Sequence, residues 1–169
     1  MAPENLQPIK VSYDDINCLV EKACSEVIKD EYFPDAIVGI SSGGLTPARM
    51  AKFFLNKDFP CCDIPVYVIG LSSYGSRKNS LPDIVMRQKL DSELEEKIAG
   101  SKILMVDEVD DTRRTLEKAS DYLLSLNISE LRILVVHSKD KEKDGSIPEN
   151  VRLYYGKKTP DCWIEYPWG

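Results

Sequence analysis

With 169 residues, 43% of them hydrophobic and 30% charged, the chain has the length of one domain, 1–169, with a core of its own and the composition of a soluble globular protein. A formal net charge of −6 and a pI near 4.9 exclude the broad basic face that general nucleic-acid binding needs, although a few local Lys and Arg still suffice for an anion site. The five cysteines, Cys18, Cys24, Cys61, Cys62 and Cys162, are odd in number and form no CxxC pair. They read as reduced, mostly buried thiols of a cytosolic protein, not as a disulfide framework or zinc site. No signal-peptide core follows Met1, and no apolar run approaches membrane-spanning length.

Residues 1–11, with Pro3 and Pro8, read as an extended arm. Ser12, with Asp15 three positions on, resembles a capping box. Ile16, Leu19, Val20, Ala23 and Val27 then recur at helical spacing, and the helix is predicted to end near Asp30, before Pro34. Residues 36–40 form a short apolar strand that opens into Ser41-Ser42-Gly43-Gly44-Leu45-Thr46-Pro47. Two glycines and a proline near a helix start make a tight strand–loop–helix turn whose backbone N–H groups can approach an anion. Neither the P-loop Gly-Lys-Ser/Thr nor a GxGxxG follows, and Gly-Gly alone is most often a plain turn. A helix over 47–54, a loop over 56–63 and a strand over 64–71, rich in β-branched and aromatic residues, come next. Residues 72–80 are small, polar or basic and read either as a plain hairpin loop or as a lid over a reacting group. A strand over 84–90 and a short charged helix over 92–99, ending at Gly100, complete this half.

Residues 102–115, KILMVDEVDDTRRT, are the most informative. An apolar strand, 103–106, runs into Asp107, Glu108, Asp110 and Asp111, then Thr112, Arg113, Arg114 and Thr115, before Leu116, Ala119, Leu123 and Leu126 mark a helix. Open α/β sheets bind ligands at the carboxyl ends of their strands, and a helix N-terminus attracts phosphate. Acids this close repel each other by about 1 kcal/mol per pair at about 4 Å in water, so a metal, ligand hydroxyls or basic neighbours should offset them. Alternatively Asp110 and Asp111 favour the helix start and the other two are solvated. The strand 131–137 ends at His137, the only histidine, which reads as structural. Lys139 follows, either a ligand contact or a surface lysine, and then a charged, solvated loop over 140–146. A strand over 151–155 precedes an aromatic C-terminal stretch whose Trp163, Tyr166 and Trp168 suggest core or interface packing. The alternation of strand and helix over 36–137 predicts an α/β fold with a central parallel sheet flanked by crossover helices.

Four of these stretches, in the right order, resemble the type I phosphoribosyltransferases of the 6-oxopurine type, the fungal hypoxanthine-guanine and bacterial xanthine-guanine enzymes. Asp107, Glu108, Asp111, Thr112 and Thr115 fall on the family's phosphoribosyl-pyrophosphate (PRPP) motif, with Arg113 where most members have Gly. Ser42-Gly43-Gly44 looks like the pyrophosphate loop, with Ser42 where many members have Lys or Arg. Ser73-Tyr74 looks like the start of the catalytic lid, with Arg77 and Lys78 as possible pyrophosphate cations. Trp163-Ile164 resembles the purine-recognition segment, in which the aromatic stacks on the base and the next residue offers backbone groups to it. Lys139 matches the lysine that contacts the purine O6.

The resemblance implies a sheet with a small hood made from the chain's two ends, and a purine salvage enzyme. Hypoxanthine, guanine or xanthine and PRPP would give the nucleoside monophosphate and pyrophosphate, with Mg²⁺ as cofactor. Asp107 and Glu108 would hold the ribose hydroxyls and, through ligand hydroxyls and water, the metal. The 111–115 loop would wrap the 5′-phosphate, with added charge from Arg113 and Arg114. Asp111 would handle the purine N7 proton, its pKa raised by Glu108 and Asp110. A cytoplasmic homodimer or tetramer, bound to neither nucleic acid nor membrane, is expected. The alternative is a PRPP- or nucleotide-binding regulator of the same fold without catalysis.

Overall fold

The structure, a computed structural model, describes residues 7–58, 63–74 and 83–169. Its elements in chain order are β1 (Ile9–Lys10), α1 (Tyr13–Lys29), β2 (Ala36–Ser41), α2 (Leu45–Asp58), β3 (Val66–Tyr74), β4 (Asp83–Gln88), α3 (Ser92–Ile98), β5 (Lys102–Asp110), α4 (Arg114–Leu124), β6 (Glu130–Lys139), β7 (Arg152–Thr159) and β8 (Ile164–Glu165).

The six-stranded sheet has the order β4-β3-β2-β5-β6-β7. All neighbours are parallel except β4, which returns antiparallel on β3 as an edge hairpin. Side chains alternate along the strands, and both faces are covered, so the strands read as continuous apolar runs. Ile37, Leu104, Val106, Leu134 and Val136 pack with α1 and α2 on one face. Val38, Ile40, Met105, Ile133 and Val135 pack with α4 and Ile98 of α3 on the other. The hood expected from the chain's ends is a two-stranded parallel ribbon, in which Ile9 pairs with Ile164 and Lys10 with Glu165.

Ser12 caps α1 as its sequence predicts. Its Oγ accepts the Asp15 N–H at 3.1 Å, and the Asp15 carboxylate accepts the Ser12 N–H at 2.8 Å. Helix α2 is longer than 47–54 at both ends. Pro47 lies in its first turn, where a missing N–H costs nothing, and the amide oxygen of Asn56 accepts the Ile64 N–H at 3.3 Å, tying the helix's last turn to the chain entering β3. Strands β5, β6 and β7 also outrun their apolar cores, because ladder pairing continues through polar residues as far as Asp110↔Ser138 and Lys139↔Thr159.

Among the described cysteines Cys18 is exposed, and Cys24 and Cys162 are buried. No helix among the described residues is long and apolar enough to cross a membrane.

Candidate active site

Strands β2 and β5 pair only as far as Gly39↔Val106. Beyond that point β2 stays with β3 to Ser41↔Gly70, and β5 stays with β6 to Asp110↔Ser138. The sheet therefore splits at its carboxyl edge where the strand order reverses, the place at which open α/β sheets take ligands. A cavity of about 240 Å³ fills the split, lined by Ser41, Ser42, Gly43 and Leu71 on one side and by Asp107, Glu108, Asp111, Thr112, Arg113 and Thr115 on the other. The Ser41–Ser42 peptide is cis. A Cβ on Gly43 would overlap the Glu108 carboxylate, and one on Gly44 would overlap the Val106 carbonyl. Gly43 thus lets the acids approach the loop, while Gly44 packs beneath it.

The four acids have four environments. Asp107 is buried, and its Oδ1 accepts the Glu108 N–H at 2.8 Å. Burial, reinforced by the nearby Glu108 and Asp110 charges, pushes its carboxyl up to about 8 against that single hydrogen bond. Burial also raises Glu108, opposed by the indole N–H of Trp168, which donates to its Oε2 at 2.7 Å. Asp110 is fully buried within β5, not at the helix start, and Arg113 reaches its Oδ2 through Nη2 at 2.8 Å and Nε at 3.3 Å. Asp111 reverses the expectation of a raised pKa. Burial does push it up, but Lys141 at 2.9 Å and Lys139 at 3.2 Å outweigh that and hold it below the ordinary carboxylate value.

Arg113 adopts the left-handed conformation, φ 68° and ψ −6°, at the N-cap of α4 and makes no side-chain cap bond there. This explains the glycine that most of the family places here, since only Gly enters that region freely. The strain is offset by the ion pair with buried Asp110. The uncapped first turn of α4, beside Thr112 and Thr115, leaves backbone N–H groups for an anion. Arg114 does not join them, contrary to expectation. It faces Asp83 Oδ1 at 4.0 Å and lines a different cavity, with Ile84 and Glu117.

On the far side of Asp111, Lys139 is nearly buried and is 3.7 Å from Asp161, which also pairs with Lys141 at 3.1 Å. The lysine assigned to the purine is thus pre-oriented by two acids. Trp163 is 70% exposed and stands clear of the cavity lining, while Ile164 is buried. The N–H groups of Ile9 in β1 and of Val11 just past it bond the carbonyls of Trp163 and Glu165. Alternation along a strand turns the backbone groups of Ile164 away from β1. Ser73 and Tyr74 form the last pairs of the β3–β4 hairpin, opposite Ile84 and Asp83, whereas Arg77 and Lys78 lie outside the described residues.

Sequence reasoning gave Tyr166 and Trp168 a packing role only, and read the 140–146 loop as solvated. Tyr166 and Trp168 stack at 5.1 Å, and the Tyr166 hydroxyl bonds the Glu108 carbonyl at 3.1 Å and His137 Nδ1 at 2.9 Å. A carbonyl only accepts, so the hydroxyl hydrogen goes to Glu108, and His137 carries its proton on Nδ1. The 140–146 loop is not simply solvated, because Gly145 is buried against Arg113. The alternation Lys139, Lys141, Lys143 was the available signal, since period two puts all three on one side of an extended chain.

Two expectations follow from these environments. Arg113→Gly relieves the backbone strain but removes a partner of buried Asp110, whereas Arg113→Ala keeps the strain and loses the partner. Both variants should be destabilised, the Ala variant by about 1–2 kcal/mol more than the Gly variant, as read from urea unfolding midpoints. Equal stabilities would contradict the strain assignment. His137 is buried and held down to about 4 from 6.5 by burial and then by Lys157. Below pH 6.5 the unfolded chain takes up a proton that the folded chain refuses, so stability present above pH 6.5 is lost as the pH falls towards 4. The stability gap between the wild type and His137→Gln should shift by about 2 kcal/mol against the wild type from pH 7.5 to pH 5. A pH-independent gap would show that His137 titrates normally.

The match to known proteins extends over nearly the whole chain. Residues 4–153 fit the family model described as a phosphoribosyl transferase domain. Hypoxanthine-guanine phosphoribosyltransferase of Schizosaccharomyces pombe is 34% identical over 96% of this chain and 90% of its own length. Xanthine phosphoribosyltransferase 1 of Saccharomyces cerevisiae is 32% identical over 94% of this chain and 88% of its own. A hypothetical protein from Neisseria gonorrhoeae, solved with bound ppGpp, superposes with a TM-score of 0.84 at 32% identity, covering 97% of this chain and 91% of that one. The similarity runs over almost the full lengths of these proteins, and the chain belongs to the phosphoribosyltransferase family, in its type I, 6-oxopurine branch.

Proposed function

We propose that this chain transfers the phosphoribosyl group of PRPP to a 6-oxopurine, hypoxanthine or guanine and by extension xanthine, in purine salvage. The observation that carries the reading is the single cavity at the sheet's switch point, where the Gly43 loop, the Asp107–Glu108 pair and the Thr112–Thr115 turn face one another. In the reaction the bond from ribose C1′ to the pyrophosphate oxygen breaks, the bond from C1′ to purine N9 forms, and the N7 proton leaves the base.

Each residue has a task matched to its surroundings. Asp107 and Glu108 accept the ribose 2′ and 3′ hydroxyls. Trp168 engages only Oε2 of Glu108, so Oε1 is left for a hydroxyl. The N–H groups of Ser42 and Gly43 serve the pyrophosphate, while that of Gly44 donates to the Ile40 carbonyl at 2.8 Å and fixes the loop. The Asp111–Thr115 turn serves the 5′-phosphate, through its N–H groups and the Thr112 and Thr115 hydroxyls. Asp111, kept ionised by Lys139 and Lys141, accepts the N7 proton and acts as a base more readily than as an acid. Lys139 donates to the O6 carbonyl, which favours a 6-oxo over a 6-amino base. Trp163 supplies an aromatic face for the purine, and Ile164 backbone groups for its edge.

Mg²⁺ fits this donor set. No group of three or more metal-ligating side chains occurs among the described residues, and Mg²⁺ commonly takes one or two carboxylates, completing its shell with water and substrate phosphate. Asp107 and Glu108 would hold it through ligand hydroxyls and water, and when bound it neutralises the pyrophosphate as it leaves. Capture of ppGpp by the Neisseria gonorrhoeae relative supports a site shaped for phosphorylated purines. A cytoplasmic location accords with a salvage role.

An absorbance assay with Mg²⁺, PRPP and each purine should show turnover of hypoxanthine, guanine or xanthine and not of adenine. PRPP binding without turnover of any base would favour a regulator instead. Asp111→Asn should lower kcat about 100-fold or more with PRPP affinity nearly unchanged, measured by initial rates and direct binding. Unchanged turnover would remove Asp111 from proton handling.

A further inference from the structure

Lys143 belongs to the β6–β7 loop, yet its ammonium is nearly buried and takes no part in the cavity lining. Its Nζ donates to three main-chain carbonyls, those of Asp110 at 2.8 Å, Asp111 at 2.9 Å and Lys139 at 2.8 Å. An ammonium has three N–H bonds, so all are used on backbone. The next carbonyl in the series, that of Thr112, accepts the N–H groups of Asp144 at 3.1 Å and Gly145 at 3.0 Å. Three consecutive peptide units, 110–111, 111–112 and 112–113, are therefore gripped by their oxygens from one side.

In a planar trans peptide the N–H points opposite to the C=O. Gripping those oxygens turns the N–H groups of Thr112 and Arg113 away from Lys143, on the stretch that lines the cavity, while the N–H of Asp111 closes the β5–β6 ladder at Ser138. Consecutive N–H groups turned one way form an anion-binding nest. The grip is close-fitting, since a Cβ on Gly145 would come within 2.8 Å of the Arg113 carbonyl carbon and oxygen and the Arg114 nitrogen. The same ammonium is 3.4 Å from Asp110 Oδ2, so it also helps to hold the buried carboxylate against which Arg113 keeps its left-handed conformation.

We propose that Lys143, with the Asp144–Gly145 turn, is a positioning element that builds the 5′-phosphate site from behind, without touching the substrate. The proposal rests on the reading of 111–115 as the 5′-phosphate loop. It predicts that losing the grip harms recognition of the phosphate and leaves recognition of the base and ribose intact.

GMP and guanosine differ only by the 5′-phosphate, and calorimetric titration of both tests this. Lys143→Met removes the donors while keeping an unbranched side chain one atom shorter. Gly145→Ala wedges the turn away from Arg113 without changing charge. In each variant GMP should bind about tenfold to a hundredfold more weakly, with guanosine affinity unchanged. A folded variant that loses affinity for both ligands equally, or for neither, overturns the proposal. Amide exchange on the wild-type protein decides the matter even if both variants fail to fold. GMP should protect the amides of Thr112 and Arg113 and guanosine should not, and equal protection by the two overturns it. If the wild type binds GMP and guanosine alike, the phosphate reading of 111–115 itself fails, an outcome distinct from a variant that merely keeps its preference for GMP.

Discussion

The site exists because β5 keeps one ladder partner and loses the other. Past Val106 the strand remains bonded to β6 but has left β2. Its backbone stays satisfied on one edge, while the other edge opens on a cleft that a neighbouring strand would otherwise fill. Strand geometry then delivers the carboxylates of Asp107, Glu108 and Asp111 to a place that is neither core nor bulk water. The sheet hydrogen bonds make this affordable, since a loop carrying four acids in the same position would swing out to solvent.

The charge laid down there is divided. Asp110 is matched by Arg113, with Lys143 a little further off, and Asp111 by Lys139 and Lys141. Glu108 has a neutral indole donor, and Asp107 a single peptide N–H. The expected repulsion is thus relieved for the second pair of acids by the protein's own cations and left for the first. The first pair faces the Gly43 loop, where a sugar, or a cation carried in with it, has most to contribute. Asp111 is held ionised by its two lysines, while Asp107, raised to about 8, is the group whose charge depends on what arrives.

Most of the fold was legible because burial on both faces writes strands as apolar runs and capping chemistry writes a helix start, as at Ser12 and Asp15. The motif residues Asp107, Glu108, Asp111, Thr112 and Thr115 were legible from their spacing, and the cavity gathers them. The rest depended on contacts between segments distant in sequence. The pKa of Asp111 was misread because its adjacent acids were visible and Lys139 and Lys141, nearly thirty residues on, were not weighed. Arg114 was not legible because its neighbour Asp83, across the fold on β4, is distant in sequence. Trp168 and Tyr166 were legible as packing residues, and only folding brings their polar atoms to Glu108.

The parallel ribbon of β1 and β8 joins residues almost the whole length of the chain apart. Contacts of such separation carry the largest chain-closure entropy and form after local ones. The sheet, its split and the acid-bearing strand can assemble from nearer neighbours, so the ribbon is the last piece to lock. It holds the segment bearing Trp163 and Ile164, so the placing of that stretch depends on a contact of the largest sequence separation in the described fold.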